Sequence, residues 1–323
     1  MSITAKSLAA AACGVVALVG VTATSAQADP PAGTVPALTD IVGVGSDTTQ
    51  DALNNLSEAY NATSPANKVY SWDATGTSPI VTKQDAAPIE RPNGSSAGIT
   101  LLQNTTTSVV DYARSSRVRK TSGADAGTIF LPFAKDVLKY ASATTTNAPQ
   151  NLTKAQLTSI YNCTATTWNQ VGGTSTATIQ PKLPQAGSGT RATFLGDLGI
   201  TTPGSCVDDT VQEHDPAAVA GNPDAIAPFS EGRYNALPDP KTVKLNTSGY
   251  SLTRNLYNVV RDINGGPVGS EWVNGGVEPR LQAFFGDGLG TNRGWICGSG
   301  ATSAITAAGF VQLTAAENCG KGE

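Results

Sequence analysis

The segment Lys182-Leu-Pro-Gln-Ala-Gly-Ser-Gly-Thr-Arg-Ala-Thr-Phe-Leu-Gly-Asp-Leu198 places a polar turn between a strand-like run and a helix-like run. Its two glycines let the backbone bend and approach a ligand closely, while Ser188 and Thr190 offer hydroxyl groups. The helix that follows presents unpaired N–H groups and a partial positive charge at its start. The turn therefore predicts an oxyanion cradle, with a plain N-cap role for Ser188 as the alternative.

Similar turns recur along the chain. Residues 43–49 read Gly-Val-Gly-Ser-Asp-Thr-Thr, and residues 94–98 read Gly-Ser-Ser-Ala-Gly. A strand-like run from Val109 ends in Arg114-Ser115-Ser116-Arg117. Our hypothesis is that these turns converge on one cleft.

Strand-like and helix-like runs alternate from Asp40 onward, which is typical of an α/β architecture. We expect two lobes with a ligand cleft between them and two crossovers, one at residues 128–140 and one near 246–252. Lobe 1 comprises residues 36–130 with the returning segment 250–323, and lobe 2 comprises 131–249. Ligands in such sheets gather at the carboxyl ends of the strands, where the polar turns are placed.

Local patterns add more detailed expectations. Thr153 with Gln156 predicts a capping box for a helix at 151–161, and Asp47 with Gln50 predicts another for a helix at 48–60. Pro132 argues against a central strand position at 128–140. Apolar spacing predicts helices around 256–263, 281–285 and 305–311.

The first 28 residues have the form of a secretory signal: Lys6, an apolar run from Leu8 to about Val21, and Ala-Gln-Ala ending at Ala28. We expect cleavage near Ala28 and a soluble protein that is secreted, extracellular or periplasmic. A lipoprotein anchored at Cys13 is the less favoured alternative, because the apolar run before Cys13 is short.

Removing the leader leaves four cysteines in a chain bound for an oxidising compartment, so two disulfides are expected. Of the three possible pairings we favour Cys163 with Cys206 and Cys297 with Cys319, since each closes a loop within one predicted region. Zinc is the alternative, but no cysteine pair has close ligand spacing and His214 is the only histidine. We expect no cofactor and no metal.

The chain has a formal net charge of -4 and 14% charged residues. Its most basic run, Arg114 to Lys120, holds four cations in seven residues. Affinity for polyanions would need a wider basic patch. We therefore expect no nucleic-acid partner, and we expect a monomer.

Together the turns resemble the phosphate-binding receptors of ABC phosphate importers. The quoted turns at 43–45, 94–98 and 187–190 are similar to that family's binding turns, and 111–116 is similar to its acidic segment. Residues 151–173, which end Thr-Trp-Asn-Gln-Val-Gly-Gly, resemble its helix-plus-tryptophan segment. The resemblance implies the two-lobed periplasmic-binding-protein fold, capture of phosphate or a similar oxyanion without catalysis, and an ABC transporter permease as a partner.

The resemblance also implies a candidate site. Ser95, Ser188, Gly189 and Thr190 match ligand-binding positions of the family, whereas Asp47, Pro184 and Ser116 depart from its threonine, arginine and acidic residue. We expect Asp47 to restore the proton acceptor that distinguishes phosphate from sulfate, and Arg191 or Arg114 to restore the guanidinium. The full candidate set is Ser46, Asp47, Thr48, Ser95, Ser115, Ser116, Ser188, Gly189, Thr190 and Arg191.

Two other functions compete with anion capture. A secreted hydrolase would depend on His214, but no Gly-x-Ser-x-Gly elbow accompanies it. A secreted interaction module of the same fold, with altered or lost anion binding, is favoured by the three departures.

Overall fold

The computed structural model describes residues 29–323 except 32 and 265–275. The predicted signal sequence at 1–28 lies outside the described residues. Among those described, seven α-helices accompany one ten-stranded mixed sheet. The strands are β1 (Ile41–Gly45), β2 (Val69–Ser71), β3 (Tyr112–Ser115), β4 (Thr128–Ala143), β5 (Gln180–Pro184), β6 (Asp208–Val211), β7 (Ala225–Ser230), β8 (Val243–Leu245), β9 (Leu252–Arg261) and β10 (Val311–Gln312).

The helices cover the two ends of this sheet. They are α1 (Gln50–Asn61), α2 (Ser95–Asn104), α3 (Lys154–Tyr161), α4 (Gly189–Leu198), α5 (Glu231–Asn235), α6 (Pro279–Phe285) and α7 (Thr302–Ala307).

The order of the strands confirms the predicted α/β, two-lobed fold class. The main path runs β2-β1-β3-β9-β4-β7-β5-β6, with β8 and β10 also paired to β4. Two parallel sections, β2-β1-β3 and β7-β5-β6, are joined by the antiparallel pair β9 and β4. These two long strands are the crossovers. The first contains the predicted segment 128–140, whereas the second lies at 252–261 and not near 246–252.

Each lobe has its own hydrophobic core. In lobe 1, Leu53 of α1 packs in a cluster with Phe284 of α6 and Ile305 of α7. In lobe 2, Trp168, Tyr161 and Phe194 are buried together. The exact boundaries 36–130, 131–249 and 250–323 stay a prediction.

Several local expectations are confirmed and others are wrong. The capping box of α3 is present, with Thr153 and Gln156 bonded reciprocally, whereas α1 has Thr49 as its N-cap and no side-chain cap bond. Pro132 does lie inside a long strand, next to an irregularity in the pairing of β4 with β9. Residues 256–261 form part of β9 and not a helix. The helix predicted at 305–311 begins and ends earlier, and Val311 is in β10.

Both disulfides of the favoured pairing are present. Cys163–Cys206 spans 43 residues of lobe 2, and Cys297–Cys319 spans 22 residues near the chain end. Cys319 is fully buried in the lobe 1 core.

We predict that replacing both cysteines of Cys163–Cys206 with serine lowers the free energy of unfolding by about 3 to 4 kcal/mol, because a closed loop of that length restricts the unfolded chain. Urea unfolding measures the loss. The Cys297/Cys319 double variant is the comparison, and it should lose slightly less because its loop is shorter. A loss below about 1 kcal/mol for Cys163–Cys206 would contradict this account.

Candidate functional site

The polar turns meet where the two parallel sections of the sheet face each other. Ser46 and Thr48 follow β1, Ser116 follows β3, and Thr190 lies in the first turn of α4 after β5. Because the carboxyl ends of parallel strands collect turns at one edge, this topology brings residues distant in sequence into one place. We call the resulting buried group the hydroxyl cluster: Ser46, Thr48, Ser95, Ser116 and Thr190.

Hydroxyl groups from both lobes lie within hydrogen-bond distance of one another. Ser116 Oγ is 3.2 Å from Ser46 Oγ, 3.1 Å from Thr48 Oγ1 and 3.5 Å from Ser95 Oγ. Thr48 Oγ1 lies 3.3 Å from Thr190 Oγ1 across the interface between the lobes. A hydroxyl can donate once and accept twice, so the cluster can rearrange its hydrogen bonds around a polar ligand.

Glycine is required at two points of this close approach. A Cβ atom at Gly189 would lie 2.3 Å from both Ser95 Oγ and Ser116 Oγ. At Gly94, φ is +107° and a Cβ would lie 2.6 Å from the carbonyl oxygen of Gly187. Ser96 N–H donates to that same oxygen at 2.9 Å, so the turns at 94–98 and 187–190 hold the two lobes against each other.

Three predicted candidates point elsewhere. Ser115 Oγ donates to the carbonyl of Arg117. Ser188 Oγ accepts from Arg191 N–H and is the N-cap of α4, the plain alternative considered for it. Arg191 pairs with Asp209 at 2.7 Å and donates to backbone carbonyls, so it does not bring a guanidinium to the cluster.

Arg114 is buried but does not reach the hydroxyl groups. Its guanidinium donates to Ser46 O, Ser71 Oγ and Trp72 O. It therefore fixes the backbone of the first turn. Neither Arg114 nor Arg191 contacts the hydroxyl groups, and the prediction that one of them restores the family's guanidinium stays a prediction.

The guanidinium in contact with the cluster belongs to Arg254 of β9. Its Nη1 donates to Thr190 Oγ1 at 2.9 Å and to Ser116 O at 3.3 Å. Its Nε and Nη2 donate to Asp136 Oδ2 of β4, at 3.0 and 2.8 Å. The sequence did not predict either residue, although a lone carboxylate in the apolar run 128–143 is a signal, since a buried charge needs a partner.

Two more side chains join the cluster from the loop after β6. Glu213 Oε1 accepts from Thr48 Oγ1 at 3.0 Å and from Thr190 N–H at 3.1 Å. His214 Nε2 lies 3.0 Å from Thr48 Oγ1 and 3.2 Å from Thr190 Oγ1. The sequence analysis considered His214 as a catalytic group or a zinc ligand, and it missed Glu213.

The protonation of His214 follows from its surroundings. Burial lowers the pKa of His214 well below its ordinary value, and the charges of Arg254 and Arg233 lower it further. Ser230 N–H donates to Nδ1 at 3.3 Å. The neutral ring therefore carries its proton on Nε2, which makes it a donor toward the hydroxyl cluster.

Asp47 lies beside the cluster, 4% exposed, with its carboxylate 3.7 Å from Arg233 Nε. Burial raises the pKa of Asp47 to about 7 despite the attraction of Arg233, and the charge of Glu213 raises it further. Asp51 and Arg114 act on it more weakly, in opposite directions. Asp47 is thus poised to exchange a proton near neutral pH.

Comparison with known proteins identifies the family and agrees with the fold. A family profile described as a PBP superfamily domain matches residues 24–265, about three quarters of the chain. An ABC-type phosphate transport receptor from Vibrio cholerae has a similar structure, with a TM-score of 0.58 and 21% identity over 85% of this chain and 100% of that chain. A Clostridium perfringens ABC transporter substrate-binding protein, solved with bound phosphate, has a TM-score of 0.63 and 17% identity over the same shares. A comparison with curated sequences found no match.

We predict that Asp136→Ala lowers the free energy of unfolding by about 3 to 5 kcal/mol, because it leaves the buried Arg254 guanidinium without its carboxylate. Chemical denaturation measures the change. The control is Asp197→Ala, which breaks the more exposed Lys154–Asp197 pair and should cost at most about 1 kcal/mol. An equal decrease in the free energy of unfolding in the two variants would show that the buried Asp136–Arg254 pair stabilises the fold no more than an exposed pair does.

A second prediction concerns Asp47 and pH. Its pKa of about 7 exceeds the ordinary 3.8, so between pH 4 and 7 the folded chain holds a proton that the unfolded chain releases. Stability from this group is therefore lost as pH rises through that range, by about 1.4 kcal/mol for each unit of pKa difference.

Asp47→Asn removes this dependence. Its melting temperature, relative to that of the original protein, should rise from pH 4 to pH 8 in thermal unfolding scans. The control is Asp239→Asn, at a side chain that is 84% exposed, which should leave the pH profile unchanged. Parallel profiles for Asp47→Asn and the original protein would refute the assignment.

Proposed function

The chain belongs to the PBP superfamily, and on that premise we propose that it is a secreted solute-binding protein that captures inorganic phosphate between its lobes for uptake by an ABC transporter. The observation that carries the proposal is the hydroxyl cluster. It gathers hydroxyl groups from turns in both lobes, together with the first turn of α4 and the guanidinium of Arg254. A tetrahedral oxyanion presents acceptors in all directions, and this arrangement offers donors from several.

The strength of such a site is sufficient for a receptor. A hydrogen bond to a charged group contributes about 1.5 to 3 kcal/mol, and micromolar affinity corresponds to about 8 kcal/mol. Six donors would cover that value after the cost of ordering the ligand. Closing the lobes around the ion would also exclude water and bring together donors that are far apart in the open state.

A buried carboxylate beside the cluster favours phosphate over sulfate. Phosphate carries a proton at neutral pH and sulfate does not, so a buried carboxylate can accept a hydrogen bond from phosphate but repels sulfate. Asp47, with a pKa of about 7, was the predicted acceptor and stays a prediction.

The two competing functions have less support. A hydrolase would need His214 to accept a proton at Nε2, whereas the hydrogen bond from Ser230 to Nδ1 places a proton on Nε2. An interaction module that has lost its ligand would leave the cluster without a function. Measuring anion binding distinguishes this alternative from a receptor.

We predict that Thr190→Val weakens phosphate binding at least tenfold, since it removes one hydroxyl that contacts Thr48, His214 and Arg254 while keeping the side-chain shape. Titration calorimetry on the mature protein measures the affinity. Thr210→Val, at an exposed hydroxyl on β6, is the matched control and should bind like the original protein.

Equal affinities for the Thr190 and Thr210 variants would remove the cluster from the binding site. Phosphate, sulfate, arsenate and molybdate should be compared in a thermal-shift screen, because a bound ligand raises the melting temperature by mass action. No shift with any of them at millimolar concentration would favour the interaction module.

A further inference from the structure

The Glu213 carboxylate accepts hydrogen bonds from donors of the hydroxyl cluster, as a bound anion would. One carboxylate oxygen accepts from Thr48 Oγ1 of lobe 1 and from Thr190 N–H of lobe 2. The backbone N–H belongs to the first turn of α4, a ten-residue helix whose start carries partial positive charge. The protein's own carboxylate thus uses donors from both sides of the interface.

The second carboxylate oxygen provides an independent observation. Glu213 is 1% exposed, and within the described residues its Oε2 has no hydrogen-bond partner. A buried carboxylate oxygen without a donor is costly. Asp47, whose Oδ1 is likewise buried without a hydrogen-bond partner, interacts unfavourably with Glu213, which raises the pKa of Asp47. The carboxylate of Glu213 is therefore held in this place without being fully satisfied there.

The loop that carries Glu213 is strained. His214 has φ of +56°, in the left-handed region that non-glycine residues rarely adopt. The loop is fixed by Gln185 Oε1, which accepts from Glu213 N–H at 2.9 Å, and by the bond from Ser230 N–H to His214 Nδ1. Turning the Glu213 side chain away breaks its hydrogen bonds to Thr48 Oγ1 and Thr190 N–H.

We propose that Glu213 is a built-in competitor of the ligand. Resting on the proposed function, this inference assigns to its carboxylate the donors that an oxyanion uses, so that the carboxylate bridges the lobes when no ligand is bound. An entering anion displaces it, because two negative groups cannot share Thr190 N–H and Thr48 Oγ1 without strong repulsion. The affinity for the ligand is then reduced by the free energy of the internal contacts.

The test is Glu213→Gln, which keeps the shape and one acceptor oxygen but removes the charge. Titration calorimetry at constant pH should give dissociation constants for phosphate and for sulfate that are at least tenfold lower in this variant than in the original protein. The matched control is Glu231→Gln, which removes a partly exposed carboxylate paired with Lys139 and should change both constants less than twofold. Unchanged or weaker phosphate binding by Glu213→Gln would overturn the inference while leaving the proposed function in place.

A measurement without ligand separates the two claims. If Glu213 bridges the lobes, small-angle X-ray scattering should give a larger radius of gyration for ligand-free Glu213→Gln than for the original protein. Should neither protein bind any oxyanion, the proposed function fails and the competitor role fails with it. The radius still decides whether Glu213 bridges the lobes: a larger radius supports the bridge and an equal radius overturns it. Glu213→Asp, with a carboxylate too short to reach both lobes, serves in the same way if Glu213→Gln does not fold.

Discussion

The buried ion pair between Asp136 and Arg254 is the interaction on which the site depends. The two residues are direct cross-strand partners on β4 and β9, the strands that connect the lobes. Two guanidinium nitrogens bind the carboxylate, which leaves Nη1 to hold Thr190 Oγ1 and Ser116 O. Asp136 Oδ1 in turn accepts from Ser230 Oγ. A single pair thereby ties both crossovers to turns of both lobes, and its desolvation is offset by hydrogen bonds on every side.

The topology of the sheet explains how the separate polar turns combine into one site around this pair. Each polar turn is an ordinary strand-to-helix connection, and Ser188 indeed acts as an N-cap. The turns form one site because the carboxyl ends of β1 and β3 face those of β5 and β6. Hydroxyl groups that would be solvated one by one become mutual partners at distances of 3.1 to 3.5 Å. Burial of these dipoles strengthens their interaction with any charge placed among them.

The sequence predicts features that depend on neighbouring residues, and it misses contacts between residues that are far apart along the chain. The α/β class, the cleft turns and the capping box of α3 depend on neighbouring residues, and the fold and the capping box are confirmed. The apolar residues at 256, 259, 260 and 263 have helical spacing and predicted a helix, but 256–260 belong to a strand and are buried at every position, so the apolar residues there show no period of two. Arg254 was missed because its carboxylate partner lies 118 positions away. Glu213 was missed because its partners lie 23 and 165 positions away, beyond any local pattern.

The departures from the family motif also have a physical explanation. A ligand responds to where a donor or a charge is, not to the strand that supplies it. Pro184 brings no guanidinium to the hydroxyl cluster, but Arg254 brings one from β9; Ser116 brings no carboxylate, but Glu213 places one among the hydroxyl groups from the loop after β6. With Asp136 balancing Arg254, the cluster offers dipoles more than net positive charge. A buried environment of this kind penalises any further unpaired negative charge, because such a charge would lie near both Glu213 and Asp47.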